Sequence, residues 1–147
     1  MTAQRHHKAA VSVVLAKQET WAQEFLAALS DLLLSLIPFE AYIPKGILVK
    51  IDDALGEILE EESQGRLASS VLASAANRAS KASRKGANPR HFGLLDTLML
   101  LMEPFLTLLD LAQPVIEKVF GKDALPDVDA KMWKLTRLYH REPVRLR

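Results

Sequence analysis

The sequence of 147 residues contains no cysteine. Disulfide bonds and thiolate chemistry are therefore excluded, and the redox compartment stays undetermined. Asparagine is nearly absent, with only Asn77 and Asn88, as is typical of proteins that withstand heat. No segment alternates apolar and polar residues in the way that a half-buried strand does. These absences favour an all-α protein that is stabilised without covalent cross-links.

Catalytic signatures are also missing. The sequence has no glycine-rich phosphate loop, no HExxH zinc motif and no GxSxG nucleophile motif. His6-His7 is the only pair that resembles a metal site, but adjacent residues of a helix point about 100° apart and cannot both bind one ion. The carboxylates fall on predicted exposed faces, where solvation is expected. The sequence predicts a non-enzyme without catalytic residues, metal, cofactor or small-molecule substrate.

Acidic residues are missing from residues 63–95, a stretch of 33 residues that carries six cations. Alanine and serine predominate between Arg66 and Lys85, and the glycine that follows ends the predicted helix. One face of this helix combines cations, hydroxyls and an amide without any carboxylate. That chemistry binds a phosphate backbone, although a merely solvated polar face gives the same pattern.

The charges alternate in blocks, although the net charge is only +1. Segregated charge favours a polarised surface, or copies that attract one another, over a uniformly basic nucleic-acid binder. We expect the acidic face from Asp52 to Glu62 to be exposed and to meet the basic Lys131–Arg147 end of another copy. The blocks are +3 over residues 1–17, −8 over 19–62, +6 over 66–90, −5 over 96–129 and +5 over 131–147.

Helical periodicity predicts a single all-α domain over residues 1–147, with about five to six helices. The first helix is predicted to end at Ile37, before Pro38, and its basic residues 1–17 are predicted to project from a helical bundle as an arm. Its buried stripe is predicted to run from Trp21 to Leu36. Further helices are predicted over residues 47–62, 66–85, 94–120 and 129–142, with a basic tail over residues 143–147.

The most apolar stretch runs from Leu94 to Phe120. Its acids recur every seven residues, at Asp96, Glu103, Asp110 and Glu117, and we call these four the acid row. Acids at this spacing argue against a membrane span. The stretch is either a core helix or a helix whose surplus apolar surface contacts another copy or a membrane surface. The predicted oligomer interface is Leu98, Leu101, Phe105 and Leu109.

In overall plan the chain resembles the small all-helical major capsid proteins of filamentous viruses of hyperthermophilic archaea, including enveloped ones. The resemblance is carried by a cysteine-free helical chain with a basic Ala/Ser helix, a Leu-rich helix and a cationic first helix bearing Arg5, His6, His7, Lys8 and Lys17. In that family paired subunits wrap duplex DNA and stack into a helical filament. The resemblance implies a structural capsid subunit of the virion. The near-neutral net charge departs from it, since DNA-coating proteins are usually more basic.

Two functions from different classes are therefore open. The first is a self-assembling structural protein that packages double-stranded DNA without base preference, together with copies of itself or a related subunit, and that contacts a viral membrane surface. The second is a soluble, cytoplasmic helical adaptor or regulator that binds a partner protein through the Leu-rich helix. For the first, the predicted nucleic-acid-binding residues are the cations of the three basic blocks: Arg5, Lys8, Lys17, Arg66, Arg78, Lys81, Arg84, Lys85, Arg90, Lys134, Arg137 and Arg141.

Overall fold

The computed structural model describes the backbone of residues 2–143 and the side chains of residues 11–143. Within that range it contains five α-helices and no strand. The predicted all-α class and the long N-terminal helix are confirmed. The helices are α1 (Thr2–Leu36), α2 (Lys45–Leu59), α3 (Val71–Lys85), α4 (Phe92–Phe120) and α5 (Ala124–His140), with short 3-10 turns at Ile37–Tyr42, Gly65–Leu67 and Pro89–His91.

Ring contacts and two hydrogen bonds show how the helices run. The rings of Trp21 and Phe92 lie 6.3 Å apart, and those of Phe39 and Phe120 lie 5.0 Å apart, so α4 runs parallel to α1. Trp21 Nε1 donates to the carbonyl oxygen of Leu138, near the end of α5, at 2.6 Å. Lys131 Nζ, near the start of α5, donates to Ser35 Oγ, near the end of α1. α5 therefore runs antiparallel to α1. We call the two ends of the bundle the Trp21 end and the Phe39 end.

The core is built on the inner face of α1. The predicted stripe from Trp21 to Leu36 is buried along its whole length, with Phe25 and the inward leucines fully enclosed. The alanines of α3 complete this core, because Ala75, Ala79 and Ala82 are fully buried and their small side chains let α3 approach α1 closely. Each large aliphatic or aromatic side chain enclosed in this way stabilises the fold by about 1.5–3 kcal/mol.

α1 continues beyond this core at the Trp21 end. Every described side chain from residue 11 to residue 17 is half-buried or exposed, although four of these seven residues are Val or Leu. The first buried side chain in the described part of α1 is that of Gln18. Residues 2–17, which we call the arm, are therefore a helical extension of about 24 Å at 1.5 Å rise per residue.

Two helix starts differ from the predicted ones by five residues. α3 begins at Val71 instead of Arg66, because the side chain of Ser70 accepts a hydrogen bond from the Ala73 N–H at 3.0 Å and caps the helix there. α5 begins at Ala124, five residues early. Pro126 fits in its first turn because an N–H there has no intrahelical acceptor. The predicted basic tail lies outside the described residues beyond position 143.

Two helical segments, Val11–Tyr42 and Pro89–Phe120, are long and apolar enough to cross a membrane by length and composition. In the most apolar window of the first segment 50% of the residues are buried inside the protein, and in that of the second 39%. Core helices of soluble proteins meet the same criterion. The most apolar window of α4 is therefore less buried than that of the described part of α1.

Candidate nucleic-acid interface

The segment over residues 63–95 is free of acids in sequence but not in space. α3 packs against α2, whose last turn and following loop carry carboxylates. Lys81 forms an ion pair with Glu61, and Arg90 forms one with Glu60. Cations that were predicted to bind phosphate therefore bind carboxylates of the same chain. Glu60 and Glu61 are therefore already paired within their own chain, whereas Glu57 and Glu62 are exposed and have no cation within 4.0 Å among the described side chains. The contact of this acidic face with the basic end of another copy stays a prediction.

Asp52 lies at the centre of the contact between α2 and α3. It is fully buried, so the prediction that it belongs to an exposed acidic face was wrong. Its carboxylate accepts hydrogen bonds from Ser63 Oγ at 2.6 Å and from Ser74 Oγ at 3.0 Å, and Arg78 Nε lies 3.3 Å from it. A carboxylate can be buried at this point because hydroxyl donors and a cation replace the water that it loses.

Two glycines make room for this cluster. A Cβ at Gly65 would collide with the Asp52 carboxylate, and a Cβ at Gly56 would lie 2.6 Å from Arg78 Nη1. Arg78 Nη2 donates to the carbonyl oxygen of Glu62 at 3.2 Å, and the Arg78 side chain is only 13% exposed. The loop between α2 and α3 thus closes over Arg78. The predicted role of Arg78 as a surface contact for DNA does not agree with this placement.

Hydrogen bonds lower the pKa of two carboxyl groups, Glu60 and Glu61. The hydrogen bond from Arg90, followed in size by the one from His91, lowers the pKa of Glu60. The hydrogen bond from Lys81 lowers the pKa of Glu61. The folded protein therefore binds these protons less tightly than the unfolded chain does. Any stability from these pairs is present above the ordinary carboxyl pKa and is lost as pH falls through the lowered values. At neutral pH the cations stay paired.

Six predicted DNA-binding residues remain exposed without a carboxylate within 4.0 Å among the described side chains. They come from three different helices. The ion pairs described above use other cations, so these six charges are not neutralised by direct contact within the described part of the chain. We call them the open cations: Lys17, Arg84, Lys85, Lys134, Arg137 and Arg141.

The contacts of α1 place several open cations at the Trp21 end. Lys17 and Arg141 line one groove of about 410 Å³, which runs between α1 and the end of α5 and is also lined by Glu24. Lys85 lines a neighbouring depression at the end of α3, together with Glu19 and Gln23. The arm leaves the bundle at this same end. Its residues Arg5 and Lys8 are predicted DNA contacts whose side chains lie outside the described residues.

Two of the predicted contacts lie close to acids of their own chain without being buried. The open cation Lys134 lines a depression that it shares with Glu24 and Asp31. Arg66 is 75% exposed, and its guanidinium lies 3.7 Å from the Asp53 carboxylate. Exposed pairs at such distances contribute little and exchange readily with solvent. Both cations can therefore reach a ligand, but each does so beside an acid of its own chain.

α4 exposes a different face from the one predicted as the oligomer interface. Leu98, Phe105 and Leu109 are buried in the core, so the predicted interface was wrong for these three residues. The fourth predicted residue, Leu101, is half-buried against the core. Apart from Pro114 and Phe120, the exposed apolar residues of α4 fall within an arc of about 100° on the opposite side of the helix. We call them the α4 stripe: Leu100 (70% exposed), Pro104, Leu111 (75%), Val115 (53%) and Val119 (63%).

The acid row borders the α4 stripe on the side of α5. Its first member, Asp96, accepts a hydrogen bond from the Tyr139 hydroxyl at 2.8 Å. Its third member, Asp110, faces Asp129 of α5, whose pKa is raised by burial and by the Asp110 charge. Among the described side chains no cation lies within 4.0 Å of the last three members of the row. One edge of the stripe is therefore negatively charged and uncompensated.

We expect Asp129→Asn to raise the free energy of unfolding at pH 7 by about 0.5 kcal/mol or less, because the site is largely solvated. A raised carboxyl pKa means that the folded protein binds the proton more tightly than the unfolded chain does. The penalty is therefore absent at low pH and grows as pH rises through the raised pKa. Urea unfolding at pH 7 and pH 3 measures the difference. A gain of the same size at both pH values contradicts the electrostatic explanation.

Comparisons with known proteins add no relative to this description. A scan against protein-family models, a search of curated proteins and a search of solved structures each found no match to this chain.

Proposed function

We propose that the protein is a non-enzymatic structural subunit that assembles with copies of itself and binds double-stranded DNA through the open cations. The observation that carries the proposal is that cations of α1, α3 and α5 meet at the Trp21 end without ion-pair partners among the described side chains. The sequence of the arm adds no acid at this end. A DNA backbone binds such a surface through charge and short hydrogen bonds to phosphate.

Two uncovered apolar surfaces support the self-assembly part of the proposal. One is the α4 stripe, and the other is the set of Val and Leu side chains near the start of the described part of the arm. Large apolar patches rarely stay exposed in a monomer. A filamentous coat around DNA, as in the viral capsid proteins that the sequence resembles, is an arrangement in which both surfaces and the open cations are used. Virion localisation is part of this proposal.

We expect binding to duplex DNA to be independent of base sequence and to weaken steeply with salt. The slope of log affinity against log salt is about −0.9 for each phosphate neutralised, so about six contacts give a slope near −5. Fluorescence anisotropy of labelled duplexes of unrelated sequence, titrated over a range of salt concentrations, measures both properties. Affinity that is unchanged between low and moderate salt, or no binding at low salt, would count against the proposal.

A soluble adaptor that binds a partner protein is the second candidate, and the exposed α4 stripe favours it equally. Light scattering and negative-stain microscopy, each with and without duplex DNA, distinguish the two. Large regular assemblies that form or grow with DNA support the structural subunit. A protein that remains monomeric and does not retain DNA at low salt supports the adaptor.

A further inference from the structure

The α4 stripe sets requirements on whatever covers it. It runs from Leu100 to Val119, about 28 Å at 1.5 Å per residue, and reaches the Phe39 end of the bundle. Its surface is apolar, and the acid row lies along one edge. A complementary occupant is therefore a rod of similar length that carries apolar residues and cations but no carboxylate.

The arm has these properties. It is a helix of about 24 Å, and its sequence holds Arg5, Lys8 and Lys17 without any acid. Val13 is 53% exposed, and the neighbouring Val and Leu side chains are only half-buried. The arm cannot reach the stripe of its own chain. α1 is one uninterrupted helix, so the arm extends away from the Trp21 end, whereas the stripe extends towards the Phe39 end.

We propose that the arm of one copy docks along the α4 stripe of a second copy, with Arg5 and Lys8 beside the acid row of that copy. α1 and α4 run parallel within a chain, so the arm of a copy stacked on the Phe39 end of another enters parallel to the α4 that it covers. The contact joins two different surfaces and is therefore head-to-tail. Repetition of it gives an open filament wherever the rotation between copies does not close a ring.

This docking rests on the self-assembly part of the proposed function and requires no DNA. Two other occupants of the stripe fit its charge less well. An antiparallel dimer through α4 places two acid rows along the same edge, where like charges repel. A lipid surface brings the acid row towards headgroups that are neutral or anionic, whereas helices that lie on membranes carry cations beside their apolar face.

The absence of cysteine permits a direct test with single-cysteine chains. Val13→Cys and Val115→Cys are prepared separately, mixed, and treated with a short bis-maleimide. Both positions are 53% exposed, so their reactivity is matched. We expect about 10-fold more linked dimer from this pair than from Val13→Cys mixed with Leu67→Cys, since Leu67, although 88% exposed, lies in the turn between α2 and α3 and not on the α4 stripe. Equal yields from the two mixtures, or a predominance of Val13→Cys self-linked dimer, would overturn the docking.

Charge reversal tests the acid row independently. Two double variants reverse the charges on one side of the contact: Arg5→Glu with Lys8→Glu in the arm, and Glu103→Lys with Glu117→Lys in the acid row. Each is expected to lower the mean assembly mass, measured in low salt without DNA, at least about 5-fold. All four changes in one chain are expected to restore it. Sedimentation velocity gives the mass, and an unchanged unfolding midpoint shows that the variants fold. Loss without restoration, or no loss in either double variant, contradicts the pairing of arm and acid row.

The same preparations separate failure of the docking from failure of the proposed function. Assemblies that form but ignore the charge reversals overturn the docking and leave self-assembly in place. No assembly of the unchanged protein, with or without DNA, overturns both.

Flotation with neutral phosphatidylcholine vesicles tests whether lipid covers the α4 stripe instead. The comparison is with a double variant, Leu111→Ser with Val115→Ser. If the unchanged protein floats and this variant does not, the stripe binds lipid and the docking is overturned. If the unchanged protein stays with the soluble fraction, the docking is supported.

Discussion

Replacement of Asp52 by Ala is expected to lower the free energy of unfolding by about 3–5 kcal/mol, the range found when one partner of a buried ion pair is removed. The change leaves the Arg78 guanidinium enclosed without its counter-ion. It also leaves the hydroxyls of Ser63 and Ser74 without the acceptor that they share. Each unmatched polar group adds a desolvation cost. Urea unfolding followed by circular dichroism measures the loss.

The next residue in the chain provides a matched control. The Asp53 carboxylate is 42% exposed, and its closest cation, Arg66, is 75% exposed at 3.7 Å. Asp53→Ala should therefore cost less than about 0.5 kcal/mol. A double variant, Asp52→Leu with Arg78→Met, should recover much of the stability that Asp52→Ala loses, because it removes both buried charges together. Similar losses from Asp52→Ala and Asp53→Ala would show that burial of the first carboxylate does not matter.

Arg84→Gln with Lys85→Gln is expected to weaken duplex DNA binding by roughly 10- to 100-fold near 0.1 M salt and to reduce the salt slope by about 2, since each lost phosphate contact removes about 0.9. These two open cations have no carboxylate within 4.0 Å among the described side chains. Anisotropy titrations against salt measure both quantities. The reduction should be the same on unrelated DNA sequences.

Two sets of controls test whether position decides this effect. Lys118→Gln with Lys122→Gln removes the same charge near the Phe39 end, beside Glu117 and Asp123, and should change binding less than about 3-fold. Lys81→Gln should also do little, because Lys81 is already paired with Glu61. The sequence grouped Lys81 with the two cations that follow it on α3. Equal losses from Lys81→Gln and Lys85→Gln would mean that the intrachain ion pairs do not select the DNA surface.

Helical periodicity predicted most of the fold because the pattern is local. The buried stripe of α1 follows directly from its 3.6-residue period. The position of Asp52 could not be predicted in this way, since a lone Asp on a helix is usually exposed. It is buried because Ser63, Ser74 and Arg78 converge on it from the loop and from α3. Such convergence depends on how two helices pack and leaves no periodic signal in a single sequence.

The outward face of α4 escaped prediction for a different reason. Leu98, Phe105 and Leu109 are no more apolar than Leu100 and Leu111, so the sequence contains no contrast that separates the core face from the exposed face. The acid row was visible in the sequence, but its position at the edge of the stripe became clear only when α5 was placed beside it. The open cations were all predicted from the sequence to bind DNA. The same prediction included cations that the folded chain pairs with its own carboxylates.

The continuity of α1 bears on the entropy of assembly. A separate peptide of this length is only marginally helical in water, because the first turn of a helix must be nucleated at a cost in conformational freedom. The arm needs no such nucleus, since it extends a helix that the core already holds from Gln18 to Leu36. Docking of the arm therefore orders fewer torsion angles than the folding of a disordered tail would. A neighbouring subunit therefore binds a helix that is already formed. The loss of conformational entropy on assembly is smaller than for a disordered tail, and the association is correspondingly stronger.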